Sequence, residues 1–280
     1  MRCPQGVLKT CLVVLLAGGL VGLAGCNKLR ARDLLNKGVE AYKMGKFDQA
    51  EESFKKATEL DPTLLNARVF LATAYASQFV QGLTTPENLQ KGQEAVAQFK
   101  KVLEQDPKNV LAIDGIASML FRMGSAPYDP KTLEEAKTWD HKHIELKPDA
   151  PDPYYSIGVI DWGLAYHANQ KMRQAYNKAL PRGRKPLKAE DPLPKKLREE
   201  FTSKYQQDVE EGIQNEKKAI QLRPDYANAM AYLNLLYRQK ADMVATPQER
   251  QALLNEANAL VNKVNEIKQK EASAPPKTSE

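Results

Sequence analysis

The sequence has 280 residues, of which 42% are apolar and 27% are charged, with a formal net charge of +6. This balance is typical of a globular protein, and 15 glycines and 17 prolines are too few for a low-complexity chain. Only one cysteine lies at or after residue 26, which excludes a disulfide framework and a cysteine zinc site in that part of the chain.

Residues 1–25 have the pattern of a secretory signal peptide. Arg2 and Lys9 give a basic start, and the apolar run over 11–24 is broken only by glycines. The run is shorter than the roughly 20 residues that a membrane-spanning helix needs. The pattern therefore predicts a signal that is removed from the mature protein.

The signal ends in Leu23-Ala24-Gly25-Cys26, which resembles the lipobox of bacterial lipoproteins. The resemblance implies cleavage between Gly25 and Cys26, lipidation of Cys26 and a lipidated tether over 26–30. Asn27, where an aspartate would favour the inner membrane in the enterobacterial pattern, favours the outer membrane. We expect a lipid-anchored protein at the periplasmic face of the bacterial cell envelope. An uncleaved anchor, or an ordinary signal with a chance cysteine, is the alternative.

Four amphipathic stretches of the remaining chain each end at a proline. These prolines are Pro62, Pro107, Pro148 and Pro224, and the gaps between them are 45, 41 and 76 residues. Proline stops a helix because it has no N–H and its ring clashes with the preceding turn. The spacing indicates a helical repeat with insertions.

The first unit, 31–64, resembles the tetratricopeptide repeat (TPR). The residues that match the family pattern are Gly38, Tyr42, Gly45, Phe47, Ala50, Phe54, Ala57 and Pro62. Small residues let two antiparallel helices approach closely, and the aromatic rings fill the space around them. The resemblance implies an all-α, TPR-type α-solenoid of four to five helix hairpins over 31–271.

The repeat pattern also predicts the boundaries of the later units. Repeats are expected near 31–64, 65–109, 110–150, 151–226 with a long insertion at 163–210, and 227–271, the last as a degenerate polar cap. Residues 272–280 are expected to be a disordered tail. Within the insertion, composition predicts a loop over 181–194 and a long helix over 195–222.

The insertion is strongly basic. Residues 171–204 contain 11 basic and 4 acidic side chains, and Arg182, Arg184 and Lys185 are the proposed centre of a basic patch. One interpretation is a solvated surface insertion. The other is a binding site for an anionic ligand that is not a protein, such as lipid headgroups or a cell-wall polymer.

The sequence offers no chemistry for catalysis. We find no phosphate-binding glycine loop, no HExxH motif and no nucleophile–base pair, so we expect neither an enzyme nor a cofactor or metal site. His141 and His143 are two residues apart on a predicted helix, so they point about 200° apart and do not share a metal easily. We expect no nucleic-acid partner, and the sequence indicates no oligomeric state.

The TPR resemblance implies that the first helix of each hairpin lines a binding face for a peptide or protein segment. The residues expected to contact the partner there are Tyr42, Phe121, Tyr155, Val159, Trp162 and Arg238. Eight of the 11 tyrosines follow residue 150, which favours the C-terminal half. Each aromatic could instead be part of the core between repeats. The sequence thus predicts a non-enzymatic scaffold that binds an unidentified envelope protein.

Overall fold

The computed structural model describes residues 25–273, and these residues form α-helices joined by loops, of which the longest, residues 179–194, lies between α7 and α8. Helix α1 occupies residues 25–43. The others are α2 (Phe47–Leu60), α3 (Leu65–Gln78), α4 (Pro86–Gln105), α5 (Val110–Ser125), α6 (Pro130–Leu146), α7 (Pro151–Lys178), α8 (Lys195–Leu222), α9 (Ala227–Ala241) and α10 (Pro247–Ser273). The described residues divide into two compact units, one that ends at Asp129 and one that begins at Pro130.

In the first unit, consecutive helices pack as hairpins. Helix α1 approaches α2 so closely at Gly38 that a Cβ there would lie 2.4 Å from Cε1 of Phe54. Gly45 turns the chain between these helices at a φ of 72°, which glycine adopts without strain. The pairs α2–α3, α3–α4 and α4–α5 are also in contact.

Polar side chains fix the loop between α3 and α4. The buried side chain of Asn88 accepts a hydrogen bond from Val80 N and donates to the carbonyl oxygens of Val80 (2.8 Å) and Leu83 (2.7 Å). Thr85 caps α4, and Pro86 is the first residue of the helix, where a missing N–H costs least. The backbone polar groups at Val80 and Leu83 therefore have hydrogen-bond partners although this loop has no regular secondary structure.

In the second unit, two helices are twice as long as α2 or α3. Helices α7 and α8 have 28 residues each, whereas α2 and α3 have 14. They pack against each other, and α9 contacts α7, α8 and α10. The apolar core of this region includes Phe201, Val209, Ile213, Leu236 and Ala257.

Two of the predicted segment boundaries lie inside helices. Residues 26–30, predicted as a tether, belong to α1, so they advance about 1.5 Å per residue rather than the ~3.3 Å of an extended chain. The predicted insertion at 163–210 begins within α7, which runs without a break from Pro151 to Lys178. Residues 1–24 and 274–280, which hold most of the predicted signal and tail, lie outside the described residues.

Candidate functional site

Five aromatic rings of the second unit form a continuous series, which we call the aromatic ridge. It consists of Tyr155, Trp162 and Tyr166 of α7, of Tyr226, which directly precedes α9, and of Tyr232 within α9. Ring centroids are 5.1 Å apart for Tyr155–Tyr226, 5.3 Å for Trp162–Tyr232 and 4.9 Å for Trp162–Tyr166. The three α7 residues are spaced seven and four apart, so they share one face of the helix. All five rings are partly exposed, which leaves aromatic surface open to a partner.

An ion pair fixes one end of the aromatic ridge. Tyr226 donates a hydrogen bond to Oδ1 of Asp152 (2.8 Å), and Arg223 pairs with the same carboxylate at 3.1 Å while lying over the Tyr226 ring. Burial alone would raise the pKa of Asp152, but the hydrogen bonds from Tyr226 and Arg223 lower it below its ordinary value. Burial raises the pKa of Tyr155 to about 12, so this hydroxyl stays protonated at neutral pH.

A pocket adjoins the other end of the ridge, and we call it the Trp162 pocket. It has a volume of about 360 Å³ and lies among α7, the loop after α7, α9 and α10. Its lining comprises Trp162, Tyr166, Asn169, Gln170, Arg173, Ala189, Glu190, Leu235, Arg238, Gln239, Asp242, Arg250 and Leu254. Aromatic rings, guanidinium groups and a carboxylate therefore meet in one concave site.

A buried arginine holds the loop that forms one wall of this pocket. Arg173, which is 4% exposed, donates to the carbonyl oxygens of Lys188 (2.7 Å) and Asp191 (3.0 Å). It also donates to Oδ2 of Asp242 (2.7 Å) and to Oδ1 of Asn169 (2.8 Å). Arg173 counts among the basic residues of 171–204, yet it is an internal structural cation rather than part of a surface patch.

The three residues predicted as the centre of the basic patch are exposed. Arg182, Arg184 and Lys185 lie in the loop between α7 and α8, around Gly183, whose φ is 86°. Asn177 anchors the next part of this loop, because its amide accepts from Leu187 N (2.7 Å) and donates to Leu187 O (2.9 Å). None of the three lines the Trp162 pocket.

The residues predicted for the partner groove separate into surface and core. In the second unit, Tyr155 and Trp162 lie on the aromatic ridge and Arg238 lines the Trp162 pocket. Val159 is 7% exposed and so packs in the interior, because it lies on the buried side of α7. Tyr166, Tyr226 and Tyr232 were missed, although the i+4 spacing of Tyr166 from Trp162 could have indicated the first of them.

In the first unit, Tyr42 and Phe121 are both partly exposed. Tyr42 is partly buried by an edge contact with Phe47 and a 2.7 Å hydrogen bond with Ser77 Oγ, and Phe121 does not line the cleft of this unit. That cleft, of about 520 Å³, lies between α3 and α5. Its apolar wall includes Val69, Leu111 and Met119.

A partly buried ionic cluster links α6, α7 and α8. Lys137 Nζ is 2.6 Å from Oδ1 of Asp161, 2.9 Å from Glu211 and 3.8 Å from Asp208. Burial raises the pKa of Asp161 despite this partner, and burial likewise raises that of Asp208. The cluster ties three helices together but offers no exposed nucleophile.

Glu216 is fully buried, and neither of its carboxyl oxygens has a hydrogen-bond partner in the described residues. Burial, and then the charge of Asp161, raises its pKa to about 10, so the group is neutral at pH 7. Its position could have been found in the sequence, because it lies eight residues before Pro224, as Phe54 does before Pro62. A carboxyl thus occupies a site that the first repeat fills with a ring.

One protein-family model and several solved structures resemble this chain. The family model for the tetratricopeptide repeat matches residues 31–64. A crystal structure of MamA aligns with a TM-score of 0.54 at 16% identity, covering 90% of this chain and 98% of that one. MamA from Desulfovibrio magneticus RS-1 aligns with a TM-score of 0.57 at 17% identity, covering 87% and 98%. No curated protein matches the sequence.

Residues 31–64 are therefore a tetratricopeptide repeat, and the described chain has the all-α fold of TPR α-solenoid proteins. This confirms the predicted fold class. The repeat and the fold together support a protein-interaction scaffold.

Two further findings concern the described residues alone. No helix in residues 25–273 is long and apolar enough to cross a membrane. In the same residues, no three or more His, Cys, Asp or Glu side chains are grouped so that they could hold a metal ion.

Proposed function

We propose that this protein is a non-enzymatic, lipid-anchored scaffold that binds a segment of an envelope protein. The observation that carries the proposal is the aromatic ridge, which leaves five rings partly exposed on α7 and α9. Partly exposed aromatic side chains and arginine are the usual anchors of protein interfaces. The adjoining Trp162 pocket gives such a segment a concave seat beside the ridge.

The two tryptophans of the chain allow a matched test. Trp162 lies on the aromatic ridge, whereas Trp139 of α6 lies under the Lys142 ammonium group, 4.1 Å from its ring centroid. Chemical cross-linking in intact cells should capture an envelope partner with the wild type and with Trp139→Ala, and lose it with Trp162→Ala. Equal capture by both variants would refute the ridge as the binding surface.

The membrane tether is the second part of the proposal. Cys26 is an exposed thiol in the first turn of α1, and Lys28 and Arg30 are exposed beside it. Two or three acyl chains on Cys26 would give stable anchoring, with the basic residues adding attraction to anionic headgroups. We place the protein at the periplasmic face of the envelope, on the outer membrane in preference to the inner.

Metabolic labelling tests the tether directly. Cells supplied with an alkyne fatty acid should label the wild-type chain and not the Cys26→Ser variant, and the label should sediment with outer-membrane fractions. A wild-type chain that carries no label, or that still begins at Met1, would refute the lipoprotein assignment.

A second candidate function is supported by the loop between α7 and α8. Arg182, Arg184 and Lys185 are exposed on a loop whose backbone is anchored by Arg173 and Asn177. An exposed cluster of cations suits an anionic ligand such as lipid headgroups or a cell-wall polymer. Binding to vesicles that contain phosphatidylglycerol should fall steeply with salt and vanish when all three are changed to glutamate. Binding unaffected by that change would exclude this candidate.

A further inference from the structure

We propose that the Trp162 pocket recognises an acidic segment of the partner protein, by holding one carboxylate side chain and an apolar side chain next to it. This proposal rests on the proposed function, because it specifies the partner of the same surface. It assigns to the pocket a ligand chemistry that the TPR fold does not dictate.

The first support is an excess of positive charge within the pocket. Three guanidinium groups line it, those of Arg173, Arg238 and Arg250, against the two carboxylates of Asp242 and Glu190. The Asp242 carboxylate is already used, since its Oδ2 accepts from Arg173 (2.7 Å) and Asn169 (2.9 Å). The Glu190 side chain is 71% exposed and lies 3.8 Å from Lys188 Nζ. A carboxylate of the partner would balance the positive charge that these groups leave in excess.

The second support is the hydrogen bonding of Arg250 and Arg238, neither of which donates a hydrogen bond to a carboxylate in the described residues. Arg250 Nη2 donates to Glu190 O at 2.7 Å and lies 4.0 Å from Oδ1 of Asp242, but its Nε is buried with no hydrogen-bond partner in the described residues. Arg238 donates to two neutral amides, Asn234 at 2.9 Å and Asn258 at 2.7 Å. A buried N–H without an acceptor costs free energy, and a neutral acceptor leaves the charge unbalanced.

The third support is the apolar wall beside these cations. Trp162 and Tyr166 stack at 4.9 Å and border the pocket, with Leu235 and Leu254 completing the apolar lining. An aliphatic or aromatic residue next to the bound acid would bury its side chain here. A pocket of about 360 Å³ has the size of one or two side chains.

The loop between α7 and α8 gives the pocket its closed side. Glu190 of this loop lines the pocket, and Arg173 fixes the neighbouring residues through the carbonyl oxygens of Lys188 and Asp191. The long insertion of the fourth repeat therefore builds a wall of the site. Arg182, Arg184 and Lys185 lie outside that lining, so the pocket is distinct from the exposed basic patch.

The fluorescence of Trp162 provides a direct measurement. The chain contains two tryptophans, so Trp139→Phe leaves Trp162 as the sole reporter. The probe is an acetylated, amidated hexapeptide of alternating glutamate and phenylalanine, titrated into the purified full chain. The control peptide has glutamine in place of glutamate. We expect a saturable change in Trp162 emission, with the glutamine peptide binding about tenfold more weakly, as loss of a charge-assisted hydrogen bond implies.

Variants of equal charge separate the pocket from the general surface. Arg238→Gln should weaken the glutamate peptide about tenfold, whereas Arg184→Gln, which removes the same charge from the exposed loop, should change affinity less than about twofold. Arg250→Lys keeps the charge but removes Nε, and it should also weaken binding. This variant keeps the test decisive if Arg238→Gln fails to fold.

Several results would overturn the proposal. One is equal affinity for the two peptides, and another is an equal loss of affinity in Arg184→Gln and Arg238→Gln. A third is the absence of any change in Trp162 emission at 10 mM glutamate peptide. The last is competition by millimolar inorganic phosphate, or by phosphatidylglycerol vesicles, that is as strong as competition by the peptide itself. Equal binding of both peptides that is lost in Tyr166→Ala, which keeps the Trp162 reporter, would reject the preference for acid while leaving the aromatic ridge as a peptide-binding surface.

Discussion

Glu216 packs against Gly158 as Phe54 packs against Gly38: in each pair, a Cβ on the glycine would lie 2.4 Å from the facing side chain. The two pairs hold the same place in their repeats, one in each compact unit. In α8, a buried carboxyl that has no hydrogen-bond partner among residues 25–273 replaces the ring that fills the space in α2. Helices α7 and α8 thus approach each other closely at this point although the side chain between them is polar.

We expect the Glu216→Gln substitution to stabilise the protein above mildly acidic pH. Glu216 has a pKa of about 10 when folded against an ordinary value of 4.5, so the folded state binds more protons than the unfolded state between these values. Wild-type stability therefore falls as pH rises through that window. The variant should be more stable by on the order of 2–3 kcal/mol at pH 7 and should match the wild type near pH 4.

Urea unfolding at several pH values measures this difference. Glu199→Gln, an exposed residue of the same helix, serves as the control and should change stability by less than about 0.5 kcal/mol. A Glu216→Gln variant that is less stable than the wild type at pH 7 would show that Glu216 is charged and paired in the folded protein.

Substitution of alanine for each of two glycines of α7, Gly158 and Gly163, should change the stability of the protein in opposite directions. A Cβ at Gly158 would meet the buried Glu216 carboxyl, and overpacking of this kind costs about 1–3 kcal/mol. A Cβ at Gly163 would meet nothing within 4 Å, so Gly163→Ala should gain up to about 1 kcal/mol from helix propensity. Thermal unfolding of the two variants gives the comparison. The opposite order would mean that α7 and α8 are not packed at Gly158.

The Arg173→Gln substitution should release the loop between α7 and α8. The change removes donors from Lys188 O and Asp191 O and takes from Asp242 its cationic partner at 2.7 Å, leaving Arg250 at 4.0 Å, which costs roughly 3 kcal/mol. Trypsin should then cleave faster after Arg182 and Arg184, as peptide mass mapping would record. Lys171→Gln, an exposed change on α7, is the control. Unchanged cleavage in Arg173→Gln would mean that other contacts hold the loop.

The sequence predicts the helices well because their ends carry local signals. Pro62, Pro107 and Pro148 stop helices wherever they stand, and the match of residues 31–64 to the TPR pattern needs no tertiary information. Helix α8 begins at Lys195 and ends at Leu222, as its composition and apolar spacing predict.

The candidate site is less predictable, because burial is a tertiary property. Arg173 and Arg182 are equivalent in a count of charges, yet one is buried against Asp242 and the other is exposed. Val159 and Trp162 lie three residues apart on one helix, but only the second remains open to a partner. The faces of α7 are set by α8 and α9, which are distant in sequence.

A photo-cross-linker placed at Tyr166 tests the binding surface most directly. Tyr166 is partly exposed, belongs to the aromatic ridge and lines the Trp162 pocket. Lys171, exposed on the same helix and outside the pocket lining, is the matched position. Irradiation of intact cells should give a discrete adduct with one envelope protein from position 166, reduced by Arg238→Gln, and no such adduct from position 171. The same adducts from both positions, or none from position 166, would contradict a partner bound on α7 and α9.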